Sequence, residues 1–307
     1  MTKQQYITLT MTPGGKQTVP LGITLAELLP KEQDPCRPVI VAALVNNQLK
    51  DLRYPLFCDS EIEWLDYTHA TGNRIFKQSL SFLLFVVCQE LYPHHTLRVL
   101  HSLRNGRYCE LTGEPKLEIQ DFEAIAARMQ ELVAADLPIQ KSPLSKADAI
   151  RFFRSQGDDA KANTLALCAR GQVDVYTLQG HSQYLFSKLV PSTGFLDNFA
   201  IQPFDDGFVL LEPNSFQMAV CAGNRRQKEE FAFPHRLQAS LKSYSTWGNL
   251  LGMSTIDDIN RCIQEDDFPN LIIMAESLQQ RAMLEIADEI YQDFPKVKIC
   301  LLYTSCR

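Results

Sequence analysis

The stretch RIFKQSLSFLLFVVCQELYP, residues 74–93, constrains the fold of this chain more than any other. Its apolar residues recur at helical spacing but on more than one face, so the helix they predict must be covered from several sides at once. The apolar segment inside it, Leu80 to Cys88, falls far short of the roughly 20 residues that a membrane span requires. A buried core helix is therefore expected, with no membrane partner. The rest of the chain has to supply the cover.

What precedes the helix reads as a small mixed domain over residues 1–67. QYITLTM is β-rich, PGGK is a turn and QTVPLG continues as a second short strand. TLAELLP predicts a short helix with Thr24 as N-cap and Glu27 three residues later. RPVIVAALVNNQLKDL gives a long buried strand, an Asn-Asn turn and another strand, and DSEIEWLDY closes the unit with alternating apolar residues. Strand, turn, strand, helix and further strands within some 65 residues form the pattern of a β-grasp module.

Residues 68–213 read as an α+β domain. After the buried helix, HTLRVLHSLRNGRYCEL predicts two strands joined around Asn105-Gly106. DFEAIAARMQELVAAD places Phe122, Ile125, Met129, Leu132 and Val133 on one face of a helix. SKADAIRFFRSQG begins with Ser145 and Asp148 in capping-box spacing and stops at Gly157. DAKANTLALCARG is a further helix ending at Gly171, and short strands and turns run on to Leu211. Residues 214–232 are polar and mixed in charge, a linker. Residues 233–295 are helical, with Ser254 and Asp257 as a cap pair, and KVKICLLY from Lys296 predicts an apolar strand.

A formal net charge of -6 weighs against a protein whose main task is to neutralise a phosphate backbone. The nine cysteines form no C-x-x-C pair, so neither a zinc site nor a disulfide framework follows. The opening MTKQQYITLT has no apolar core of signal-peptide length. A reduced, cytoplasmic chain is expected.

Two segments carry the ligand-binding candidates. HSLRNGRYCEL concentrates His101, Ser102, Arg104, Arg107 and Tyr108 around a hairpin. Either this is an anion- or nucleotide-facing rim with Arg107 as a phosphate fork, or a solvated hairpin whose cations balance Glu110 and Glu114. LVPSTGF offers the hydroxyls of Ser192 and Thr193 and a permissive Gly194. Such a loop can hold phosphate or ribose through its N–H groups, or serve as a turn capped by its own hydroxyls. Arg74 completes the candidate set. His94 and His95 sit at a helix end, where they complement the C-terminal dipole, and no acidic or thiol partner is spaced to make a metal site with His101. Cys109 beside Tyr108 reads as a buried thiol.

The order of the two modules resembles the N-terminal half of threonyl-tRNA synthetases over roughly residues 1–200: a TGS domain, then the synthetase second additional domain. That resemblance implies an editing site with a metal-ligating H-x-x-x-H on the first helix and a later C-x-x-x-H. Here Gln78 and Phe82 occupy the first pair, and the second falls within YLFSKLV, which has neither Cys nor His. The resemblance therefore implies a kept fold, lost editing chemistry and no metal.

VAALVNNQLKDLRYPL, LHSLRNGRYCEL, LVPSTGFLDNF, YSTWGNLLGMSTIDDIN and MAESLQQRAMLEIADEI look like the bacterial TGS-containing uridine kinase-like proteins of the phosphoribulokinase/uridine kinase superfamily. This resemblance runs from about residue 5 to 299. It implies that KVKIC begins the first strand of a P-loop kinase domain, that the tail from about Cys300 is foreign, and that the chain is a fragment. The chain alone, without G-x-x-x-x-G-K-[ST], is expected to be inactive and to need no cofactor, whereas the full-length family uses ATP or GTP and Mg²⁺ to phosphorylate a nucleoside. The leading expectation is thus a non-catalytic, regulatory or ligand-binding portion of a uridine/nucleoside kinase. The alternative is a free-standing tRNA- or nucleotide-binding module of synthetase ancestry without editing activity. The implied partners are a nucleoside or nucleotide, weak RNA contact and a second copy of the chain.

Overall fold

A computed structural model describes residues 5–12, 14–29, 38–103, 106–212, 243, 245–253 and 255–292. The architecture is mixed α+β and divides into two compact units. One comprises Met1–Ser145 with Gly171–Gln227, the other Lys146–Arg170 with Lys228–Arg307. Arg104, Asn105, the linker at 214–232 and the strand expected from Lys296 lie outside the described residues.

The first unit begins with a five-stranded mixed sheet of order β2-β1-β5-β3-β4. Its strands are β1 (Tyr6–Thr12), β2 (Gly15–Pro20), β3 (Ile40–Val45), β4 (Gln48–Asp51) and β5 (Ser60–Asp66). β1 and β5 pair in parallel and the other neighbours antiparallel. Asn46 and Asn47 both take positive φ, 48° and 62°, which a two-residue hairpin between β3 and β4 requires. The expected short helix forms as a 3-10 turn over Ala26–Leu28. The Glu27 carboxylate accepts from both the N–H and the hydroxyl of Thr24, each at 2.8 Å.

The continuous apolar run of β3 has a clear cause. Ala43 and Val45 enter a small core with Leu9, Leu25, Leu52 and Ile62, while Val41 and Ala42 join the main core on the opposite side. A strand buried on both faces cannot alternate apolar with polar residues.

The long helix α1 (Ala70–Leu91) fills that main core. It starts four residues before the apolar pattern does, with His69 as N-cap accepting from the Thr71 N–H at 3.2 Å. Phe76, Leu80, Leu83, Leu84 and Val87 have no exposed surface. Gly72 is required here, because a Cβ would lie 1.9 Å from the Asp66 carbonyl oxygen. The cover comes from α2 (Ile119–Ala134) and two further sheets. One has the order β11-β12-β7-β6, from β6 (Thr96–Leu103), β7 (Gly106–Thr112), β11 (Ala200–Phe204) and β12 (Gly207–Leu211). The other is β10-β9-β8, from β8 (Gln140–Ser145), β9 (Gln172–Leu178) and β10 (His181–Leu185). β8 escapes a reading of the sequence, since QKSPLS alternates poorly and contains Pro143. As an edge strand it tolerates a residue without an N–H.

In the second unit α3 (Lys146–Ser155) and α4 (Asp159–Leu167) form a helical pair, with Phe153 and Leu165 buried. α4 ends at Leu167, short of the expected Gly171. The Lys146 ammonium then bonds the Ala166 and Cys168 carbonyls at its C-terminal end, at 3.1 and 3.0 Å. α5 (Ile256–Gln264) packs on α4 through its own face, with Cys262 buried, and α6 (Phe268–Gln292) follows. The cap of α5 is the reciprocal pair Thr255 and Asp258, one residue beyond the Ser254 and Asp257 expected. No helix among the described residues is long and apolar enough to cross a membrane.

Arg53, just after β4, ties the small sheet to the segments that cover α1. Its guanidinium donates to the carbonyls of Ile139, Leu189 and Val190 at 2.7, 3.1 and 2.6 Å. Replacing Arg53 with Ala leaves three carbonyls without their donor and is expected to cost roughly 3–5 kcal/mol of stability, measured by urea unfolding. Arg53→Lys should recover only part, since an ammonium cannot reproduce the planar fork.

Beside this latch Tyr176 is fully buried and donates to the Ser187 carbonyl at 3.2 Å. Burial pushes its pKa from 10.0 up to about 12, although Lys141 works in the opposite sense. The folded state therefore holds this proton more tightly than the unfolded chain does. Its stabilising contribution is complete below about pH 10 and disappears as pH rises to about 12. Alkaline unfolding should shift to higher pH in Tyr176→Phe, as followed by circular dichroism.

Candidate functional site

The seam between α1 and the segment Leu185–Phe195 contains Gln78 and Phe82, the helix positions singled out in the sequence. Ser79, wholly buried on α1, donates its hydroxyl to the Ile75 carbonyl at 2.8 Å and accepts the Val190 N–H at 3.0 Å. This anchors the incoming chain by its backbone. Phe82, one helical turn on, is 2% exposed and stacks on Phe85 at 6.4 Å, within the core cluster that also holds Leu189 and borders Leu185. Gln78 lies half-buried on the same helix. The Phe82, Phe85, Leu185 and Leu189 side chains there are hydrocarbon and offer a metal ion no lone pair. Among the described residues no group of three or more His, Cys, Asp or Glu is arranged to hold a metal.

The Pro191–Phe195 loop points its polar groups inward, toward the end of α2. Thr193 has no exposed surface; its hydroxyl donates to the Leu132 carbonyl at 2.5 Å and accepts the Leu137 N–H at 2.8 Å. The Thr193 N–H bonds the Leu137 carbonyl at 2.9 Å, and the Gly194 N–H bonds Asp136 Oδ1 at 2.9 Å. A Cβ on Gly194 would sit 2.3 Å from that carboxylate oxygen, so the glycine serves this close approach. Ser192 forms an isolated bridge with Pro138. The N–H groups at 193 and 194 already have acceptors inside the protein, and the loop clamps the α2–β8 connection.

The β6–β7 hairpin distributes its candidates over two faces, as strand alternation dictates. Arg107 is only 15% exposed at its side chain and pairs with Glu212 through both Nε and NH2, while NH2 also bonds the Lys77 carbonyl at 2.7 Å. Lys77 approaches the other Glu212 oxygen at 3.2 Å. The acid that balances Arg107 is therefore Glu212, more than a hundred residues away in the chain, and neither Glu110 nor Glu114. On the other face His101 and Tyr108 come together with ring centroids 5.2 Å apart, and Phe204 meets Tyr108 edge-on at 5.9 Å. Burial lowers the His101 pKa against the pull of Glu110. Burial also raises that of Tyr108, helped by Glu110, Asp205 and Asp206. Both rings are neutral at physiological pH. Ser102 is exposed opposite Arg107 in the ladder, and Arg74 is exposed near the start of α1.

Other groups with reactive potential are occupied or inert. His95 is buried and bonded through Nε2 to the Pro115 carbonyl at 2.9 Å. Burial pushes the Cys109 thiol up to about 12 and raises Cys88 further, so neither supplies a thiolate near neutral pH. A shallow groove of 410 Å³ lies between Lys116, Glu118, Ile119, Phe122, Asp205 and Asp206, with Lys116 and Asp206 paired at 2.8 Å across it.

The small sheet carries a surface that the sequence reading passed over. Lys50 on β4 places its ammonium 4.5 Å from the Tyr54 ring centroid, and Phe57 is 64% exposed on the segment that follows. An exposed ring with a cation beside it, as at Tyr54, suits the flat face of a nucleobase. The signal was present in QLKDLRYPLF, where aromatics fall outside any alternating apolar pattern.

No family model matches the chain. It is similar to threonine–tRNA ligases. The protein of that name from Acidithiobacillus ferrooxidans is 33% identical over 163 residues, which is 53% of this chain and 25% of the relative. Those from Porphyromonas gingivalis and Methylococcus capsulatus are 28% and 26% identical over 192 and 194 residues, 62% and 63% of this chain and 29% and 30% of the relatives. The chain therefore spans between a quarter and a third of the length of these relatives. They correct the expectation of a uridine or nucleoside kinase: the similarity is to ligases, and nothing in it supports a kinase superfamily, a kinase activity or a nucleoside acceptor.

The Arg107–Glu212 pair yields a direct test. Glu212→Ala would strand a poorly solvated guanidinium, with an expected loss of about 3–5 kcal/mol. A double-mutant cycle with Arg107→Ala in urea unfolding should return a coupling above about 1 kcal/mol, whereas additive losses would refute the pair.

Proposed function

We propose that the chain is a tRNA- or nucleotide-binding module of synthetase ancestry that performs no editing. The observation that carries this reading is the similarity to threonine–tRNA ligases, which extends over half or more of the chain. On this reading residues 1–67 form a TGS-type β-grasp domain and 68–213 a second-additional-domain-like module. Residues 214–232 link it to the helical segment at 233–295. The five-stranded sheet with its 3-10 turn supports the first assignment. The apolar packing of Phe82 and Leu189 supports a reading without editing chemistry, because hydrolysis of a mischarged tRNA there would need an activated water and these hydrocarbon side chains cannot activate one.

Binding would rest on the exposed rings and cations of the small sheet, in keeping with an acidic protein whose electrostatic attraction for RNA is weak. Filter or fluorescence binding to tRNA at low salt is expected to show association that weakens as salt rises. Tyr54→Ala combined with Phe57→Ala should reduce affinity by about tenfold or more, in line with roughly 1–3 kcal/mol per stacked base. Lys50→Ala should weaken binding and flatten the salt dependence. If tRNA fails to bind even at low salt, the reading falls. Arg107 is unsuited to this test, since its removal breaks the Glu212 pair.

A further inference from the structure

α6 has no buried residue along its 25 positions, although its sequence is rich in large apolar side chains. A row of half-buried residues, Leu271, Ala275, Leu278 and Ala282, marks one side of the helix. Next to it, at 100° per residue, runs a second row made of Phe268, Ile272, Met283, Ile286 and Ile290. In this row Phe268 is 39%, Ile272 44%, Met283 55% and Ile286 58% exposed. Isolated apolar residues on a surface need no explanation, but a continuous helical face of this extent does.

The order of residues in the row identifies what covers it. About Gln279 the row is close to a palindrome: Phe268 corresponds to Ile290, Ile272 to Ile286 and Ala275 to Met283. Two copies of α6 laid antiparallel across a two-fold axis at Gln279 therefore match apolar residues with each other along about 33 Å of helix. The charges favour the same arrangement. Glu285, Asp288 and Glu289 crowd the last turns, whereas residues 268–275 carry no charge at all. A parallel pair would set the acidic ends side by side. The antiparallel pair instead sets each against the neutral half of the other helix, and opposes the two helix dipoles. At the axis, two Gln279 amides can bond one another and hold the register, as a single polar residue does in a coiled-coil seam.

We propose that the chain self-associates into a two-fold dimer through an antiparallel pairing of α6 centred on Gln279. Sedimentation velocity or light scattering on the full chain at micromolar concentration is expected to report twice the chain mass. Ile272→Glu with Ile286→Glu should give the monomer with an unchanged far-ultraviolet circular dichroism spectrum. Under mild oxidation Gln279→Cys should form a disulfide with its own counterpart, located by peptide mass mapping, whereas Phe268→Cys should not, because the axis sets it opposite Ile290. A monomeric wild-type chain, a dimer that survives the double substitution, or self-linking of Phe268→Cys as efficient as that of Gln279→Cys would each overturn the proposal.

Discussion

One guanidinium holds the first unit together. Arg53 leaves the small sheet just after β4 and donates to three carbonyls that belong to two segments some fifty residues apart, Ile139 on one side and Leu189 with Val190 on the other. Burial depresses its pKa, and nearby Asp51 resists that effect. Asp51 is itself nearly buried and accepts from the Arg53 N–H at 3.1 Å and from Lys141 at 2.7 Å. Burial disfavours the Lys141 charge, but Asp51, Tyr176 and Asp174 together keep its pKa above that of a free lysine. Lys141 also reaches Asp174, which in turn meets Lys188. Charges removed from water are tolerated only when their partners are complete, so this network tolerates few alternative arrangements of the elements that carry it.

The same economy of polar groups explains why the residues that looked most like a ligand site are engaged elsewhere. A helix buried all round leaves few places where the chain covering it can satisfy its backbone. Ser79 supplies one, accepting the Val190 N–H from within the core. Thr193 and Asp136 supply two more at the end of α2. Arg107 and Lys77 converge on Glu212 and join β7, α1 and the residue after β12. Among the described residues Tyr54, Phe57 and Lys50 on the small sheet have few such obligations to the core.

Local signals were legible where a physical rule acts over a few residues. The reciprocal bonds of Thr24 and Glu27, the positive φ values at Asn46 and Asn47 and the apolar face of α2 all follow from adjacent sequence. The cap of α5 falls one residue beyond the expected Ser254 and Asp257, at Thr255 with Asp258. β8 was hidden because its pairing with β9, not its own pattern, makes it a strand. Long resemblances misled about activity. The likeness of short segments to a kinase family did not carry that family's chemistry, and the similarity found is to ligases.

By itself the sequence determined an α+β chain organised around a buried helix with a small sheet preceding it. Those properties reside in composition and short-range periodicity. Only the tertiary structure decided that Arg107 serves Glu212, that Thr193 faces the end of α2 and that Arg53 bridges to Ile139 and Val190. Each of these joins residues between 61 and 137 positions apart, where the partner is set by packing geometry and by the requirement that every buried charge and carbonyl be met.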